Sequence, residues 1–162
     1  MRFLFIDEIL EQSSSRVVAI KHVAANDAYL QDHFRTFPVV PGVIMLEALA
    51  QTARSLLCGQ DPSLSRLVIG RVRAFRYGAF VKPGDSLRLE VDLLREPTDA
   101  SAADAVWLCR GAAVAMRSAA EEYVAAAGRF ALRRIALAPT HRADADPVIS
   151  RSLHAAARVS SC

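Results

Sequence analysis

His33-Phe34-Arg35-Thr36-Phe37-Pro38-Val39-Val40-Pro41-Gly42-Val43-Ile44-Met45-Leu46-Glu47-Ala48-Leu49-Ala50-Gln51 is the stretch on which the reading of this 162-residue chain turns. Pro41 has the fixed backbone angle suited to a first helical turn. From there the apolar residues recur at Val43, Leu46, Ala50, Ala53 and Leu57, the period of an amphipathic helix. Gly59 can take a left-handed stop and Pro62 cannot continue a helix, so the spacing predicts one long helix over 42–58. Glu47 is the sole acidic residue between His33 and Gln60 and interrupts an apolar run. A carboxylate near buried surface costs free energy unless it has a task or a partner.

Working outward, the flanking sequence reads as strands. Arg16 to Val23 is rich in Val and Ile, and Asn26-Asp27-Ala28 marks a turn before the His33 loop. After the helix, Leu67 to Arg76 carries Val68, Ile69, Val72 and Phe75. The turn signal Pro83-Gly84-Asp85 then precedes a run in which Leu87, Leu89, Val91 and Leu93 alternate with Arg88, Glu90 and Asp92, the signature of a half-buried strand. Val106 to Met116 reads as another strand, weakened by Gly111 and several alanines, with Glu96 to Asp104 as the connecting loop. Tyr123 to Leu132 is ambiguous, because Ala and Glu favour helix. Residues 1–135 are expected to form one domain. Residues 136–162 are expected to be an Arg-rich mobile tail, with Val148 to Arg158 able to form a short helix.

Composition narrows the function classes. A hydrophobic share of 52% with 23% charged residues is that of a soluble globular domain. The formal charge of +3 belongs to the end of the chain, since five arginines against two aspartates lie in residues 133–162 and the rest is balanced. That balance argues against a bulk nucleic-acid surface. The apolar opening is too short for a signal peptide, and no stretch approaches a membrane span. Cys58, Cys109 and Cys162 are odd in number and far apart, which gives neither a zinc site nor a disulfide framework and suits a reducing cytoplasm.

The central segment reads as an acid/base site in which one imidazole and one carboxylate bracket a helix entrance. Elimination of water beside a thioester needs a base for the α-proton, an acid for the departing hydroxyl and a donor for the developing enolate oxygen. His33 has the natural basicity for the first role. Glu47, in an apolar setting that favours its protonated form, could deliver a proton to the β-hydroxyl directly or through water. The Gly42 amide, at a helix N-terminus, favours negative charge on a carbonyl oxygen, and glycine lets a ligand come close. Gln51, four residues after Glu47 on the same helix face, can hold the carboxylate. Each residue alone has an ordinary structural explanation, and it is the combination that carries the reading. His22, His141 and His154 lack such surroundings, and Arg54 reads as a solvated helix residue.

The string from Gln31-Asp32-His33-Phe34 through Pro38, Pro41-Gly42-Val43, Glu47-Ala48 and Ala50-Gln51 resembles the active-site signature of the β-hydroxyacyl-acyl carrier protein dehydratases of the FabZ type. Phe3-Leu4-Phe5-Ile6-Asp7-Glu8-Ile9-Leu10 resembles the family's opening strand, and Arg76-Tyr77 with Val81-Lys82-Pro83-Gly84-Asp85 adds to the likeness, which covers roughly residues 3–132. The resemblance implies an α+β hotdog fold, a long central helix wrapped by a curved antiparallel sheet, in which residues 121–132 are a strand. It implies His33 as base, Glu47 as acid or water-holding group, Gly42 as thioester carbonyl donor and Gln51 as support.

The implied substrate is a β-hydroxyacyl chain on the phosphopantetheine of an acidic acyl carrier protein, with no other cofactor and no metal. Arg71 and Arg73 on one strand face, with Arg76 nearby, are candidates for carrier contact, the alternative being ordinary solvated arginines. The family's dimer combines His of one chain with Glu of the other. A homodimer or higher even oligomer is therefore expected, with a heterodimer with a related hotdog subunit as the variant. A hotdog thioesterase and a non-catalytic partner subunit are the competing functions, while Glu47 in place of the isomerising subclass's Asp favours simple dehydration. Asp32 before His33, the run Arg35-Thr36-Phe37-Pro38, Phe80 before the Pro-Gly-Asp turn, a missing N-terminal extension and the Arg-rich tail depart from the family pattern. These departures suggest a specialised lipid, polyene or polyketide pathway.

Overall fold

The computed structural model describes residues 4–31, 36–118 and 121–135. Six strands, β1 (Glu8–Gln12), β2 (Arg16–His22), β3 (Val68–Tyr77), β4 (Ser86–Arg95), β5 (Val106–Ser118) and β6 (Glu121–Arg133), form one antiparallel sheet in the order β1-β2-β4-β5-β6-β3. A short helix α1 (Ala28–Gln31) and the long helix α2 (Gly42–Gln60) lie between β2 and β3, and α2 packs along the sheet's concave face. This is the hotdog arrangement.

Period-two patterning builds the two faces. On β4, Leu87, Leu89 and Val91 turn toward the helix and are buried, while Arg88, Glu90 and Asp92 alternate outward. Trp107 and Cys109 of β5 and Phe130 and Leu132 of β6 complete the inner face, and burial pushes the Cys109 thiol up to about 12. Gly111, which weakens β5 as a sequence signal, sits where the helix comes down on the sheet. A Cβ there would stand 3.2 Å from both terminal carbons of Leu49 and 3.1 Å from the Phe130 ring. The alanines of β5 and β6 have the same cause, since Ala113, Ala115, Ala125 and Ala126 are fully buried where small side chains let the layers approach. The ambiguous segment is thus a strand, paired on both sides by β5 and β3.

Helix α2 differs from expectation at both ends of its pattern. Val43 is exposed, and the buried side runs through Met45, Ala48, Leu49, Thr52, Ala53 and Leu56, with Ala50 and Leu57 buried as well. The burial is wide because the sheet covers one side and the 3₁₀ turn Pro62–Arg66 and the N-terminal segment cover others; Gln60 Nε2, for example, donates to the Ser14 carbonyl. Gly59 stays helical, and the helix stops two residues later than predicted, at extended Asp61, whose amide donates to the Leu57 carbonyl at 2.9 Å. Pro62 then opens the 3₁₀ turn and the Asp61 carboxylate caps it. The opening strand begins at Glu8 rather than Phe3. The Pro83-Gly84-Asp85 turn is present, with Gly84 at φ +93°, where a side chain would be strained.

Residues 136–162, and with them the tail and its short helix, lie outside the described residues, as do Asp32, His33, Phe34 and Arg35.

Candidate active site

Pro41 is the N-cap of α2 and offers no side-chain cap, so the amides of Gly42 and Val43 start the helix without intrahelical acceptors. The Tyr77 ring lies against Gly42: a Cβ there would be 2.7 to 3.0 Å from three ring carbons. The room that glycine leaves is therefore taken by an aromatic ring at the end of β3. Tyr77 is half exposed and stacks edge-on with Phe75 at 5.3 Å between centroids.

Glu47 follows in the second turn of α2, with its side chain 35% exposed. Its Oε1 accepts hydrogen bonds from Gln51 Nε2 at 3.3 Å and from Arg54 Nη2. Gln51 is oriented in turn, because its Oε1 accepts the Phe5 amide at 2.9 Å. Arg54 Nη1 donates to the Leu67 carbonyl at 3.2 Å, which ties the helix to the segment leading into β3. These bonds make a relay from the N-terminal segment through Gln51, Glu47 and Arg54 to Leu67, fixing one carboxylate oxygen in position.

Two expectations change as a result. Glu47 does not sit in purely apolar surroundings but is hydrogen-bonded by Gln51 and ion-paired with Arg54. Arg54 is not a solvated helix residue; it is 19% exposed and lies two helical turns beyond Glu47 on the same face. Glu47 and Arg54 line a cleft of about 570 Å³ with Arg66, Val68 and Ile69, open along the edge strand β3. Among the described residues no three His, Cys, Asp or Glu side chains gather at metal-ligand spacing. Glu47, Gln51 and Arg54 bring carboxylate, amide and guanidinium groups together at this cleft.

Of the candidate residues, Gly42, Glu47 and Gln51 share the helix, and Glu47 and Gln51 touch. His33 is outside the described residues. His22 is exposed on β2, its Nδ1 at 2.8 Å from Ser86 Oγ, and takes no part in the cleft. Arg71, Arg73 and Arg76 do not join Glu47. Arg71 and Arg73 register with Ala131 and Arg129 on the outer face of the sheet, and an irregularity at Ala74 (φ 48°) keeps Arg76 on that face as well. Arg54 and Tyr77 are the residues that sequence reasoning passed over.

The chain matches the FabA-like domain family over residues 1–117. A 95-residue stretch is 42% identical to the 3-hydroxyacyl-acyl-carrier-protein dehydratase FabZ of Geobacillus thermodenitrificans (strain NG80-2), covering 57% of this chain and 66% of that protein. The FabZ of Bacillus pumilus (strain SAFR-032) is 39% identical over the same shares. The match thus spans just under two thirds of these relatives' length. Among solved structures, the dehydratase heterocomplex ApeI:P from Xenorhabdus doucetiae superposes with a TM-score of 0.56 at 14% identity, over 82% of this chain and 100% of that one. Thioesterase superfamily member 2 from Mus musculus gives 0.56 at 10% identity, over 78% and 80%. At such identities these two similarities show the shared hotdog fold. With that fold in place and the family match running from the first strand through the central helix into β5, this chain belongs to the FabA-like domain family.

Proposed function

We propose that the protein dehydrates a β-hydroxyacyl thioester carried on acyl carrier protein to the trans-2-enoyl thioester. The observation that carries this reading is Glu47, held on the central helix by Gln51 and Arg54 at the mouth of a cleft, in a chain whose relatives are 3-hydroxyacyl-acyl-carrier-protein dehydratases. His33 takes the α-proton, the C–O bond to the β-hydroxyl breaks, and the departing oxygen receives a proton from the imidazolium so formed and leaves as water. Glu47, paired with Arg54, accepts a hydrogen bond from the hydroxyl and then holds the water, and that pairing supports the water-holding role. The Gly42 amide, with the helix dipole behind it, meets the developing negative charge on the thioester oxygen. Tyr77 moves off Gly42 for that contact.

The site is completed by a second hotdog subunit, a copy of this chain or a related one. Edge strand β3 and the Glu47 cleft open together at the end of the sheet, with Val72 and Tyr77 exposed there. Arg71, Arg73 and Arg76 supply a positive field that steers an acidic carrier without touching Glu47. No helix of the described residues is long and apolar enough to cross a membrane, and a cytoplasmic setting and a specialised pathway complete the proposal.

The deciding experiment is mass-spectrometric turnover of β-hydroxyacyl thioesters, on carrier protein and on coenzyme A, by wild type and His33→Ala. Loss of one water from the acyl group with wild type alone is the expected result. Release of free acid would replace dehydration by thioester hydrolysis.

A further inference from the structure

The outer face of the sheet carries a second cleft, of about 500 Å³, unrelated to Glu47. Arg71 and Arg73 of β3, Arg95 of β4 and Arg129 and Arg133 of β6 line it, around a floor formed by Leu108 and Ala131. Strand pairing brings them together, since Arg73 stands directly opposite Arg129, Arg71 opposite Ala131, and Arg95 opposite Leu108. Arg133 is laid into place across β3, because Gly70 beneath it has no Cβ; one built there would be 2.7 Å from Arg133 Cδ.

None of these five guanidinium groups forms an ion pair among the described residues, and no carboxylate lines the cleft. Every other arginine of the outer sheet face between β2 and β5 has an acidic partner: Arg16 with Glu90 and Asp92, Arg88 with Glu90 and Glu122, Arg110 with Asp92. Like charges directly opposite on neighbouring strands destabilise a sheet. A concave wall of uncompensated arginines over an apolar floor therefore fits an anionic occupant, and its volume is that of a small-molecule site rather than of a protein face.

We propose that this cleft binds a small anion bearing two or more phosphoryl groups. Planar guanidinium forks bind phosphoryl oxygens bidentately, and five arginines line this one cleft. The floor of Leu108 and Ala131 accommodates the apolar body of a nucleotide, whereas free pyrophosphate would use the arginines alone.

Calorimetric titration of the full chain in about 150 mM salt, with inorganic pyrophosphate in one arm and ADP in another, tests this. Saturable binding of either probe that weakens about tenfold or more in the Arg73→Gln/Arg129→Gln double variant is the expected result. ADP binding more tightly than pyrophosphate assigns the source as a nucleotide, and equal affinity assigns a free polyphosphate. The double variant relieves a like-charge pair, so it should unfold at the same temperature as wild type or higher; a ligand-induced rise of about 5 °C at a hundredfold excess over Kd should appear in wild type and shrink in the variant. No binding of either probe overturns the proposal. So does binding that the double variant retains in full.

Discussion

One row of residues crosses the outer face of the sheet, with Arg16, Asp92, Arg110, Arg129 and Arg73 in register on β2, β4, β5, β6 and β3. Its two halves behave oppositely. On the β2–β5 side Asp92 is shared between Arg16 and Arg110, and neighbouring Glu90 and Glu122 hold Arg88. On the β6–β3 side two arginines face one another with no acid between them. The same residue type at the same depth joins strands in one half and leaves a positive cleft in the other. The difference lies in which residue stands opposite, a property of register rather than of local sequence. The Glu47–Arg54 pair on the inner face belongs with the compensated kind, although its position in a cleft gives it a chemical task as well.

Breaking that inner pair should have the largest effect. Glu47→Gln removes the charge while keeping the shape, and turnover of a β-hydroxyacyl thioester should fall by about 10² to 10⁴ with an unchanged melting temperature. A variant with full turnover would exclude Glu47 from the mechanism. Arg54→Ala comes next. It frees the carboxylate from its anchor, so kcat should fall by about tenfold or more with little change in KM, and Arg54→Lys should recover part of the loss. An unchanged kcat would make Arg54 a purely structural link to Leu67.

The ladder on the outer face gives a smaller, pH-dependent effect. Burial by itself would raise the Glu90 and Asp92 carboxyls, but hydrogen bonds from Arg88 and Arg16 to Glu90, and from Arg16 and Arg110 to Asp92, outweigh it and hold both below their ordinary values. Their stabilising contribution is therefore present above about pH 4 and is lost as pH falls through the depressed folded-state values. These are partly exposed pairs, so each is worth about 1 kcal/mol or less. Melting temperatures measured between about pH 6 and 3 should fall less steeply for Arg16→Gln than for wild type. The smallest effect sharpens the contrast from the other side. Arg129→Glu, which puts an acid opposite Arg73, should raise stability by a few tenths of a kcal/mol in urea unfolding while abolishing anion binding in the outer cleft.

What could be read from the sequence follows the same division between local and non-local causes. Strand β4 announces itself by its two-residue alternation, β2 by its run of Val and Ile, and helix α2 by apolar residues recurring every three to four positions after Pro41. The Glu47–Gln51 contact is legible too, being a spacing of four on one helix. Arg54 was within reach, since a spacing of seven returns to the same face, but a charged helix residue reads by default as solvated. β6 was undecidable locally: its alanines are there to let the helix approach, and only pairing with β5 and β3 makes them a strand. The outer cleft was hidden for a stronger reason. Arg71, Arg95 and Arg133 are separated by tens of residues, and only the strand order β4-β5-β6-β3 brings them to one wall. The tail and the His33 loop lie outside the described residues, so their expectations stand as the sequence left them.

The thiol of Cys109, buried at the middle of the sheet with its ionisation pushed up to about 12, gives the protein a clock of its own. Thiol reagents attack the thiolate, so modification at this position must wait for β5 to leave the sheet. The rate at which an excess of reagent marks the peptide containing Cys109 then reports how often the sheet opens under native conditions. Comparing that rate with and without a bound anion or acyl thioester would time the breathing of the scaffold with no introduced label.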